Sequence, residues 1–179
     1  RLHYTDIGTG PTIVLIHGAS TSLRDFEPSL LQPLASNFRV ISVDRPGHGY
    51  SERPAGSWPD PSQQASLIHE LLLSLNVEQA IVLGHSWAGS VVLAYLLDYP
   101  DHARGGVLLA GVTHPWEGGG EWYQDLAGVP VLGPLFAWTL VPPFGALIMP
   151  SALQDVFKPN EVPPGYVKQT AIELGLRPK

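Results

Sequence analysis

Apolar residues gather in four short runs, at 12–16, 38–43, 80–84 and 106–110, with glycine, proline and polar stretches between them. Runs of this length, rich in valine, isoleucine and leucine and bounded by turn residues, predict buried strands. Between the second and third runs the period changes: Leu67, Ile68, Leu71, Leu72 and Leu75 fall on one face of a helix. Asp60 stands as its N-cap, Pro61 at its first helical position and Gln63 in the capping-box place. After the third run Val91, Val92, Tyr95 and Leu96 repeat the helical spacing, and Pro100 marks the stop. Strands alternating with helices predict an α/β fold with a doubly wound, mostly parallel sheet.

From Thr113 onward the character changes. Gly118, Gly119 and Gly120 suggest a flexible joint, and aromatic residues thicken through Trp116, Trp122, Tyr123, Phe136, Trp138, Phe144 and Phe157. Two regions are therefore expected, 1–112 as sheet-forming core and 113–179 as a helical cover. No charged residue occurs between Asp125 and Asp155, so Val129 to Met149 is long enough to raise a membrane span. Pro130, Pro134, Pro142 and Pro143, with Gly133 and Gly145, argue against one by predicting short helical pieces. An apolar lid over an apolar substrate accounts for the run better; a lipid surface or a partner subunit is a further use for it.

The 179 residues suit one domain. A net charge of −6, with ten scattered lysines and arginines, excludes a nucleic-acid backbone as partner. The chain has no cysteine, which removes disulfides and thiolate metal sites and favours the cytoplasm without establishing it. No metal or cofactor is called for, and the expected partner is a small-molecule substrate.

Chemistry concentrates at Ile81-Val82-Leu83-Gly84-His85-Ser86-Trp87-Ala88-Gly89. A serine on a sharp turn between a strand and a helix needs small neighbours two positions before and after it, and Gly84 and Ala88 supply them. The turn exposes the hydroxyl, and the following helix places N–H groups and a positive dipole end beside developing negative charge. Ser86 is the candidate nucleophile. Acyl transfer needs a second N–H donor, and Ala19, in the turn after Thr12–Ile16, stands where it can provide one. His17 in that turn reads mainly as a structural histidine bonding loop backbone, with a place in the pocket as its functional alternative. Asp44-Arg45-Pro46-Gly47-His48-Gly49 follows the second run; there Asp44 and Arg45 are expected to pair with each other or anchor the loop.

These motifs, His17-Gly18-Ala19, Asp44 to Ser51 and Gly84 to Gly89, in that order and spacing, resemble the α/β-hydrolase superfamily over Arg1 to Val112. The resemblance implies Ser86 as nucleophile, the backbone N–H groups of Ala19 and Trp87 as the oxyanion hole, and a hairpin in the opening Leu2 to Pro11. Trp87 resembles the epoxide hydrolase and haloalkane dehalogenase branch, which carries aspartate where this chain has Ser86. The difference matters chemically. A serine attacking an alkyl carbon would leave a dead-end ether, so Ser86 must attack an acyl carbon.

The superfamily order is nucleophile, acid, histidine. After Ser86 the chain offers only His102, in a loop, and His114, which follows the fourth run and is a possible pocket residue. The fold is therefore expected to be incomplete, with the catalytic histidine and its acid in a remaining C-terminal part of the same polypeptide, joined or as a separate chain. By itself this stretch is expected to turn over little substrate. The competing class is a non-catalytic binding protein of the same fold, keeping the elbow as architecture.

Overall fold

The computed structural model describes residues 1–54, 58–114, 129 and 132–176. Five strands, β1 (Tyr4–Ile7), β2 (Thr12–Ile16), β3 (Arg39–Val43), β4 (Ala80–His85) and β5 (Ala103–Leu109), form one sheet in the order β1-β3-β2-β4-β5. All neighbours run parallel except β1, which is antiparallel to β3 from Tyr4↔Val43 to Ile7↔Val40. The opening segment is thus no hairpin with β2. Both edges of β2 are taken by parallel partners, and β1 closes the free edge of β3 instead.

Side chains alternate across the sheet, as the period of two requires. Val14, Ile16, Ile41, Val43 and Val82 pack on one face against α2 (Pro61–Ser74) and α3 (Gly89–Asp98), through Ala65, Ile68, Leu72, Val91, Val92 and Tyr95. Ile13, Leu15, Val40 and Leu83 face the other way, onto Phe26 of the turn Leu23–Phe26 and Leu31 of α1 (Leu31–Ala35). Full burial of such a side chain contributes about 1.5–3 kcal/mol, so this two-faced core dominates the stability of the sheet.

The start of α2 forms as its sequence predicts. Gln63 N–H donates to Asp60 Oδ1 at 2.8 Å, and Asp60 N–H to Gln63 Oε1 at 3.0 Å. β5 begins earlier than its apolar run, because pairing of Ala80 with Ala103 and Ile81 with Gly105 carries the strand through Arg104 and Gly105.

The chain continues as α4 (Leu132–Thr139), α5 (Val141–Phe157) and α6 (Tyr166–Thr170), then a tight turn at Ile172–Leu176. The prolines break this region less than expected. Pro142 and Pro143 lie in the first turn of α5, where a missing N–H costs nothing, and the helix runs on through Pro150. Among the described residues no helix is long and apolar enough to cross a membrane. The expected joint at Gly118–Gly120, with Trp116, Trp122 and Tyr123, lies outside the described residues.

Candidate active site

β4 ends at His85, one tight turn spans Ser86–Ala88, and α3 starts at Gly89. Ser86 sits at φ 53°, a left-handed conformation that costs a non-glycine residue roughly 1–2 kcal/mol. Close packing holds it there. A Cβ on Gly84 would lie 2.6 Å from Val92 Cγ2 and 2.7 Å from the Ala88 carbonyl oxygen. A Cβ on Gly89 would lie 2.7 Å from Gly111 Cα and 2.8 Å from Val112 N. The chain after β5 therefore presses against the start of α3, and Val112 N–H donates to Ser86 O at 2.9 Å.

Ser86 and Trp87 line an open cavity of about 530 Å³ together with Ala19, Val112, Thr113 and His114. The structure thus brings together Ser86, both expected oxyanion donors and one of the two later histidines. Ser86 is half-buried and Ala19 exposed, so both are reachable from solvent. Gly18 brings the backbone before Ala19 against the serine: a Cβ there would be 3.2 Å from Ser86 Cβ. Trp87 is the second residue of the turn into α3, and the first N–H groups of such a turn have no partner within it. Thr113 Oγ1 and His114 Nδ1 are 2.8 Å apart at the rim. His102 stays in its loop, 2.9 Å from the Glu78 carbonyl oxygen through Nδ1.

His17 does not join this lining. It is fully buried, and Arg45 N–H donates to its Nε2 at 3.0 Å. Because Nε2 accepts, the ring proton sits on Nδ1, which donates to Gly18 O at 2.9 Å. Burial, reinforced by the Arg45 charge, holds the His17 pKa well below its usual value and keeps the ring neutral. Its loop-bonding reading fits the structure; the pocket alternative does not.

Asp44 and Arg45 both anchor loops, but through separate partners. The buried Asp44 carboxylate accepts from Leu23 N–H at 2.8 Å and Tyr50 N–H at 2.9 Å, and lies 2.7 Å from His3 Nδ1. Gly49, at φ 50°, leaves room for that carboxylate, which a Cβ would strike. Arg45 turns the other way, donating to His17 O, Gly18 O and Gln64 Oε1. Side chains alternate along an extended segment, so these neighbours face opposite sides and do not meet.

A second polar cluster adjoins the elbow. Asp25 Oδ2 lies 3.3 Å from His85 Nδ1, while Tyr166 O–H donates to Asp25 Oδ1 at 2.8 Å. The hydrogen bond to Asp25 raises the His85 pKa. Burial, then the same carboxylate, raises that of Tyr166. The carboxylate thereby links the residue before Ser86 to α6. Sequence reading singled out none of the three, and with 141 positions between Tyr166 and Asp25 no local signal could have joined them. Among the described residues no three His, Asp or Glu side chains converge on a point suited to a metal ion.

A family model for the alpha/beta hydrolase fold matches residues 11–164. Haloalkane dehalogenase 2 of Mycobacterium tuberculosis is 35% identical over 119 residues, covering 65% of this chain and 40% of its own length. Bifunctional epoxide hydrolase 2 of Rattus norvegicus is 33% identical over 109 residues, 58% of this chain and 19% of its own. The solved structure of an esterase from a Rhodococcus species superposes with a TM-score of 0.76 at 26% identity, covering 99% of this chain and 66% of that one. The chain thus spans 40% or less of the length of these two curated relatives.

Proposed function

Because the chain belongs to the α/β-hydrolase family, we propose that it carries the nucleophile of a serine hydrolase acting on an ester or related acyl bond of an apolar small molecule. The observation that carries this reading is Ser86 at φ 53° in a cavity lined also by Ala19 and Trp87. Ser86 Oγ attacks the acyl carbon while its proton passes to a base. The carbonyl electrons collect on oxygen, opposite the Ala19 and Trp87 N–H groups. Collapse expels the leaving alcohol, which takes the proton back, and water then releases the acid from the acyl-enzyme by the same steps.

The side chain at position 86 supports one among the chemistries that the relatives' names give. A carboxylate attacking carbon gives an ester that water cleaves, whereas a serine gives a cleavable adduct only with an acyl group. Serine therefore favours the esterase's chemistry over those of the dehalogenase and the epoxide hydrolase. A histidine and a carboxylate from outside this chain serve as base and orienting acid in this reading, and His114 touches substrate at the rim.

In the same reading residues 1–112 are core, and 113–179 form a lid that shapes the pocket and excludes water. Its support is the Tyr166–Asp25 hydrogen bond and the packing of Gly175 against Ser20 O, one residue from the Ala19 donor. The apolar α4 and α5 side chains suit an apolar acyl group.

Treating the full-length protein with a fluorophosphonate tests the nucleophile. Serine Oγ bonds to phosphorus, the P–F bond breaks and fluoride leaves with the hydroxyl proton. Peptide mass spectrometry is expected to find the adduct on Ser86, and none after Ser86→Ala. Folded protein that stays unmodified while retaining an apolar ligand would make it a binding protein instead.

A further inference from the structure

Arg45 is a buried cation set against neutral partners. It is 2% exposed, and among the described residues no carboxylate lies within ion-pairing distance of its guanidinium. Burial lowers its pKa to about 10, so it remains charged at neutral pH. Holding such a charge without a counter-ion is costly. Some of its contacts reach the two segments that face Ser86; others reach α2 and its own loop, where Nη2 lies 3.2 Å from His48 Nε2. Nη2 donates to Gly18 O at 2.8 Å and Nε to His17 O at 3.0 Å, while Nη1 reaches Gln64 Oε1 at 3.2 Å. The guanidinium carbon lies 4.5 Å from the centre of the Trp87 ring, within stacking range of a cation on an aromatic face.

We infer that Arg45 is the positioning residue of the oxyanion hole, one guanidinium fork that orients both main-chain donors from behind. The inference rests on the reading of Ser86 as nucleophile. Its geometry follows from the rigidity of the peptide unit. Gly18 C=O and Ala19 N–H belong to one planar trans group and point in opposite directions. Arg45 and His17 Nδ1 both donate to that carbonyl, so the amide at its other end is held facing away from them. Among the described residues the Ala19 N–H has no hydrogen-bond acceptor of its own. Polarisation of the carbonyl by a cation also strengthens the amide as a donor. Stacking on Trp87 fixes the residue that carries the second N–H. Lysine, a point charge without the planar fork, cannot hold both at once.

The test uses full-length protein with Arg45→Gln, Arg45→Lys and Trp87→Leu, and Arg39→Gln, which breaks the distant pair with Asp6 and a bond to the Leu75 carbonyl, as a control. Two quantities are read on the folded fraction: the rate of Ser86 phosphonylation, and the amide proton shifts of Ala19 and Trp87 in the adduct. Loss of one oxyanion donor typically costs about 10²–10³-fold. Arg45→Gln is expected to slow phosphonylation at least about tenfold and to reduce the downfield shift of both amides, with Arg45→Lys failing to restore either. Trp87→Leu, which leaves the buried charge in place, is expected to diminish the shift at position 87 more than at Ala19. Arg39→Gln should match the unaltered protein. A purely structural Arg45 would lower the unfolding temperature yet leave rate and shifts unchanged, and that result overturns the inference alone. If Arg45→Gln does not fold, equal amide shifts in Trp87→Leu and the unaltered protein overturn it. No labelling of the unaltered protein removes the nucleophile reading and this inference with it.

Discussion

The sheet and the helices of 132–176 bury their apolar residues to very different degrees. Val14, Leu15, Ile16, Val40, Ile41 and Val43 in β2 and β3 are wholly inaccessible. In α4 and α5, by contrast, Leu135, Trp138, Phe144, Leu147 and Ile148 are exposed, although the two helices pack on each other. Hydrophobic composition is similar; what differs is whether the pattern meets a complementary surface. The strands present a period of two to helices on one face and a turn on the other. α4 and α5 present apolar residues around most of their circumference, which suits a surface that covers something.

Substitution turns this contrast into numbers. Ile41→Ala, in the middle of β3, is expected to cost about 2–5 kcal/mol by chemical denaturation, through lost burial and a residual cavity. Leu147→Ala in α5, where 75% of the side chain is already in solvent, is expected to change stability by less than about 0.5 kcal/mol. Comparable losses at the two positions would mean that α5 is packed as tightly as the sheet, and the contrast would break.

What was legible in the sequence follows the same division. The strand runs and the Asp60/Gln63 cap were readable because their signals are local and tertiary packing agrees with them. The β1–β3 pairing was not, since nothing in Tyr4–Ile7 names a partner thirty-odd residues away. Ser86 was readable because a strained turn demands small neighbours at fixed offsets. Arg45 was seen only as pairing with Asp44 or anchoring the loop, because its partners at 17, 18, 64 and 87 meet only in three dimensions.

Two histidines near the elbow sharpen the comparison at smaller amplitude. His17 is neutral in the fold with a lowered pKa, so below about pH 6.5 the unfolded chain takes up a proton that the folded chain refuses. Its contribution is present above that pH and lost as pH falls, with a slope approaching about 1.4 kcal/mol per pH unit. The His85 pKa is raised, first by the hydrogen bond to Asp25. The sign therefore reverses: this contribution is complete below about pH 6.5 and fades as pH rises through the raised value. Denaturation at pH 5 to 8 should show His17→Asn flattening the acid-side loss and Asp25→Asn removing the stabilisation at the acid end. An unchanged acid slope in His17→Asn would mean that His17 takes up its proton while folded.

The account turns on whether the Ser86 hydroxyl and the amides of Ala19 and Trp87 share one point in space. A crystal structure of the full-length protein with Ser86 phosphonylated measures this directly. The phosphoryl oxygen is expected to accept hydrogen bonds from both amides, at about 2.7–3.1 Å. An adduct oxygen turned to solvent, with either amide pointing elsewhere, would contradict the assignment.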